Sequence, residues 1–142
     1  MVTTRQLFCS IRKRWVTATP EEMVRQDVLT HLTNDFGCPP HLIAVEHSMA
    51  RCVRRKSPLR RVDILCYSVD SAECVPFLLI ECKAQTPRRQ ALFQLSGYNF
   101  FMKASFQAVA WPGHIMLFSS SDFQIYSPIS TMPTYKCLKE TL

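Results

Sequence analysis

With 142 residues, 47% of them apolar, the chain suits one compact soluble domain with a real core. Seventeen Lys and Arg against eleven Asp and Glu leave a net charge of +6, which points weakly to a polyanionic partner and is equally compatible with a membrane surface or with no partner. No apolar run is long enough to cross a bilayer and residues 1–15 lack the apolar centre of a secretory signal, so a membrane-spanning helix is excluded and a cytoplasmic protein expected.

The first expected element is a helix from Pro20 to Phe36. Thr19 can cap it, Pro20 suits its first position, and Glu22 stands where a capping box would close. Val24, Val28, Leu32 and Phe36 follow at four-residue steps, with Gly37 and two prolines as the stop. Glu22 reads first as that cap, while Arg25 and Gln26 one turn on are free to face a site. Strands are expected over 41–49, 61–69 and 76–84 as an antiparallel meander, with residues 70–74 as the loop between the second and third. A second helix, 88–104, places Leu92, Leu95, Asn99 and Met102 on one side and Gln94 and Tyr98 one turn apart on another. Gly97 within it is expected to let a neighbouring backbone approach closely. Strands over 114–119 and 123–127 follow, joined by a turn through the serine run and Asp122; the tail from Thr131 is poorly patterned. The fold class is therefore α/β: a mixed β-sheet, made of an antiparallel meander plus a crossover helix and further strands, flanked by α-helices.

The seven cysteines are odd in number and lack the two-residue spacing of zinc or redox motifs, so Cys66 and Cys82 read as reduced thiols inside strands.

One strand ends unusually. The run Leu78-Leu79-Ile80-Glu81-Cys82-Lys83 is apolar until two opposite charges close it, and side-chain alternation puts Glu81 and Lys83 on the same face. A hairpin loop centred near Ala72 sets Asp63 opposite Glu81. Two carboxylates this close repel unless a cation lies between them, and hard oxygen donors favour Mg2+ or Mn2+. Glu46, in the preceding strand, is either an additional ligand or an edge carboxylate; Glu22 is a further candidate ligand. Arg51, Arg54, Arg55, Lys56, Arg60 and Arg61 form a basic stretch without an acid, leading into Asp63. Such a run is commonly a solvated loop, but its position favours phosphate contact, as does the cluster Arg12, Lys13 and Arg14.

Taken in order, these motifs resemble the PD-(D/E)xK, or restriction endonuclease-like, nucleases. Asp63 stands at the first acidic position and Glu81-Cys82-Lys83 at the E-x-K. The chain resembles most closely the N-terminal nuclease domain of type I restriction enzyme R subunits: the helix text from Thr19 to Gln26, the strand Arg61-Val62-Asp63-Ile64 and the Q-x-x-x-Y of Gln94 to Tyr98 share its style. Val62 stands where the name has proline. The resemblance implies a metal-dependent deoxyribonuclease in which Asp63, Glu81 and the backbone carbonyl of Cys82 hold one or two magnesium ions. It further implies that Lys83 orients the attacking water, Gln94 steadies the site, and Tyr98 reaches the substrate backbone or the lysine. DNA is the implied partner, with a separate helicase or specificity subunit and a dimer both compatible. No phosphate-binding glycine loop is present among these residues. The alternative is a catalytically silent nucleic-acid-binding or assembly protein on the same fold.

Overall fold

The computed structural model describes residues 3–48, 61–119 and 122–142; the side chains of His47, Ser48, Tyr98 and Phe101 also lie outside the described set. A two-stranded hairpin, β1 (Gln6–Cys9) and β2 (Arg14–Thr17), opens the chain, in a stretch where the sequence pattern predicts no element. Helix α1 (Pro20–Asn34) follows, and Thr19 Oγ1 accepts the Glu22 backbone N–H at 3.1 Å. The expected capping box closes only on that side, because the Glu22 carboxylate turns to arginines instead. Phe36 lies beyond the helix end but remains buried.

The main sheet has six strands: β3 (Ile43–Ser48), β4 (Arg61–Asp70), β5 (Glu73–Cys82), β6 (Phe106–Trp111), β7 (His114–Phe118) and β8 (Phe123–Tyr126), adjacent in that order. All pairs are antiparallel except β5–β6, which helix α2 (Arg89–Met102) connects as a parallel crossover. Strand β6 is not expected from the sequence. It is short and apolar on both faces, as a central strand covered by helices should be, and so shows no alternation. The expected mixed sheet with helices on both sides is the fold observed. A short helix α3 (Tyr135–Glu140) lies in the poorly patterned tail.

Alternation along β5 divides the core. Leu78, Ile80 and Cys82 pack with Val24, Val28 and Leu32 of α1, whereas Leu79 packs with Leu95 and Met102 of α2. Cys66 and Cys82 are buried free thiols. Gly97 is a correction: among the described residues a Cβ placed there would meet nothing within 4 Å, so none of their backbone approaches it.

The β4–β5 turn is tighter than expected, only Ser71 and Ala72 between the Asp70–Glu73 pair. That turn alone would set Asp63 across from Ile80. One irregularity restores the register: Tyr67 pairs with Pro76 but Cys66 with Leu78, so Phe77 is an extra residue on β5. Beyond this bulge Ile64 faces Ile80, and the same register carries Asp63 to Glu81. Proline suits a bulge because it has no N–H to leave unpaired. Phe77 itself is fully buried, edge-on to Phe106 at 5.3 Å and to Tyr135 at 5.0 Å.

Candidate active site

The β4–β5 ladder ends at Ile64–Ile80, and Asp63 uses the opening. Its Oδ2 accepts the backbone N–H of Cys82 at 2.8 Å, while Oδ1 accepts from Arg25 Nη2 of α1 at 2.5 Å. The carboxylate is thus held by the end of one strand and by a helix across the core. Glu81, buried, and Lys83 project toward α2, with Nζ 3.3 Å from Glu81 Oε1 and 3.4 Å from Gln94 Oε1. Lys83 lies one residue past β5, kept in line by its N–H to the Ala110 carbonyl at 2.8 Å. The structure therefore brings together Asp63, Glu81, Lys83 and Gln94 from β4, β5 and α2.

The charges are unevenly balanced. Burial, reinforced by the neighbouring charge of Asp63, pushes the Glu81 carboxyl up to about 7 against the opposing pull of Lys83. Two carboxylates that feel each other in a buried site are costly to ionise together, and a cation at the pair would relieve the repulsion.

A second cluster lies behind the first. Glu22 Oε1 accepts from Arg12 Nη2 at 2.5 Å and from Arg25 Nη1 at 2.9 Å. Glu46, at a positive φ of 50°, accepts from Arg12 at 3.2 Å and lies 3.5 Å from Arg25 and 3.8 Å from Arg14. Charges alternate from Arg12 through Glu22 and Arg25 to Asp63. Burial would by itself raise the Glu22 carboxyl, but the Arg12 hydrogen bond, the Arg25 charge and Gln26 together hold it below its ordinary value. Burial would likewise lower Arg25, and Asp63 and Glu22 instead raise it. Glu22 and Glu46 are accordingly grouped with arginines rather than with Glu81. Among the described residues no three His, Cys, Asp or Glu side chains converge as a metal-binding set.

Arg12, expected to contact phosphate, is spent in these ion pairs, its side chain only 10% exposed; Arg14 remains largely exposed. Sequence places Arg25 only loosely near a site, although the Glu22–Arg25 spacing of three on a helix is a readable pairing signal. Arg61 begins β4 and is exposed. Arg51, Arg54, Arg55, Lys56 and Arg60 lie outside the described residues, as does the side chain of Tyr98, which stands one turn after Gln94 on α2. A cleft of about 340 Å³ opens beside Lys83, walled by Gln85, Arg88, Gln90 and Gln94.

Comparison with known proteins bears on the family and the fold. Residues 20–133 match the family described as the type I restriction enzyme R protein N terminus, and the chain belongs to that family. Its fold is similar to a fragment structure attributed to a putative HsdR subunit of a type I restriction enzyme from Vibrio vulnificus YJ016, with a TM-score of 0.54 and 18% identity. That match covers 80% of this chain and 23% of the other, so the chain spans about a quarter of the protein it resembles. No curated protein matches the sequence significantly.

Proposed function

We propose that this R-protein N-terminal family member is a metal-dependent nuclease that hydrolyses phosphodiester bonds of DNA. One observation carries the reading: just past the last paired residues of β4 and β5, Asp63 accepts the Cys82 N–H at 2.8 Å beside Glu81, whose carboxylate lies 3.3 Å from Lys83 at the edge of a cleft. The donor set fits Mg2+ or Mn2+, since both side chains offer hard oxygen and the raised Glu81 carboxyl marks a place where a cation would be stabilising. Asp63, Glu81 and the Cys82 carbonyl would hold it, Asp63 through the lone pairs left over from Arg25 and the Cys82 N–H; Glu22 and Glu46 belong to the arginine cluster behind Asp63. When bound, such an ion supplies charge neutralisation at the phosphoryl oxygens.

The chain's own residues do the rest. Arg25 and the Cys82 N–H fix the rotamer of Asp63, so that the carboxylate needs no reorganisation during reaction. Lys83 carries positive charge toward the attacked phosphate and orients the water, and Gln94 holds Lys83 from α2. Tyr98, one turn after Gln94 on α2, would contact the substrate backbone or the lysine. The basic residues Arg51, Arg54, Arg55, Lys56, Arg60 and Arg61 would contact phosphates, giving salt-sensitive binding with little sequence preference of its own.

Incubation of linear, circular and branched DNA with the protein, with and without magnesium or manganese, tests the reading. Asp63→Asn and Lys83→Ala should each abolish metal-dependent cleavage while leaving salt-sensitive binding largely intact. Cleavage by both variants at the wild-type rate would overturn it. Binding without cleavage by the wild type would favour the silent binding protein instead.

A further inference from the structure

The two longest acid-free segments of the chain, residues 1–20 and 82–121, supply two elements that border the site. The first forms the β1–β2 hairpin, tied to Asp63 through Arg12, Glu22 and Arg25. The second includes Lys83 and α2. Each also leaves a large aromatic ring in water. Trp15 on the hairpin is 65% exposed and Phe93 on α2 is 75% exposed. Trp15 lines a cleft with Arg14 that reaches Arg25, although Glu21, Glu22 and Glu46 line it too; Phe93 lines a recess with Arg89 at the start of α2. Phe8 meets the Trp15 ring edge-on at 5.5 Å, which holds that ring in place and leaves it open.

One exposed ring needs no partner; what singles out Trp15 and Phe93 is that each stands beside an arginine at an edge of the site. Arginine with an open aromatic face matches a polyanion whose bases are themselves free to stack. A duplex conceals those faces, since each base already lies between its neighbours. We propose that the surface around the site takes a nucleic-acid strand with unpaired bases, stacking on Trp15 and Phe93 while Arg14, Arg88 and Arg89 contact its phosphates. As a substrate assignment this rests on the nuclease reading; as a binding surface it does not. The absence of acid across both segments is what favours a nucleic acid over a protein partner, which would tolerate either sign.

The chain reports on itself, because its other tryptophan, Trp111, is buried and stacked on His114, so exposed emission comes from Trp15. Asp63→Asn protein without divalent metal is titrated with an oligothymidylate of about 15 nucleotides and with the same sequence as a duplex. Quenching of tryptophan emission by the single strand is expected. Trp15→Ala and Phe93→Ala should each weaken single-strand binding roughly tenfold and duplex binding less than about twofold, with Trp15→Phe retaining most of the affinity. Circular dichroism of each variant checks that it is folded. No quenching, or equal losses for single strand and duplex, would overturn the proposal. A change of emission with protein concentration alone would also overturn it, in favour of a second copy on this surface. Cleavage of duplex without stacking leaves the nuclease reading standing and removes this one. Stacking with no cleavage of any DNA by the metal-loaded wild type removes the nuclease reading, and the substrate assignment with it.

Discussion

Replacing Glu81 by glutamine should make the metal-free protein more stable at pH 8 than the wild type, by an amount that vanishes toward acid. Glu81 is buried beside Asp63, and its carboxyl rises from an ordinary 4.5 to about 7. Between those values the folded protein holds a proton that the unfolded chain has released, so wild-type stability falls as pH rises through this window. Raising a carboxyl by one pH unit costs its ionised form about 1.4 kcal/mol, which makes the loss between pH 5 and pH 8 roughly 2–3 kcal/mol. Glutamine keeps the shape and the neutral hydrogen bonding but never ionises. Urea unfolding of both proteins at the two pH values, with a chelator present, reads the effect directly. Titration elsewhere is common to both and cancels in the difference, so the gap between variant and wild type should widen by that amount. A gap that stays constant with pH would refute the claim that the two carboxylates repel in a shared buried site. Added manganese should close the gap at pH 8 by stabilising the wild type alone, since an ion that binds only the folded form shifts its apparent stability.

Other expectations follow from the neighbouring geometry. Arg25→Met leaves Asp63 and Glu22 without their shared buried cation and should destabilise the fold by about 3–5 kcal/mol in chemical unfolding. Arg12→Ala should lower stability and, through Glu22 and Arg25, loosen Asp63; manganese affinity measured by calorimetry should fall several-fold even where the protein remains folded. Phe77→Ala removes the buried ring of the bulge, with a loss of about 3–5 kcal/mol. A stability change under about 1 kcal/mol would mean that the ring does not anchor the register.

The sequence carried the elements with strong local rules. The helix at Thr19-Pro20 begins where its cap and first-turn proline require, because those interactions lie within four residues. The charged strand end at Glu81 and Lys83 was legible because alternation is a property of any extended strand. The basic run before Asp63 was visible as composition, but its placement lies outside the described residues, Arg61 excepted. Strand β6 left no trace, since a strand apolar on both faces has no period, and the N-terminal hairpin left little, since a short exposed strand buries too few residues to show one. The sequence placed Asp63 opposite Glu81 through a loop centred near Ala72; what the tertiary structure alone decided was the route to that register and the countercharge. The proximity of Asp63 to Glu81 depends on a two-residue turn and a compensating bulge at Phe77, which Pro76 suits locally and which the packing of Phe77 between Phe106 and Tyr135 anchors. Arg25 reaches Asp63 from 38 positions away, a distance at which only packing, and no local preference, can choose a partner.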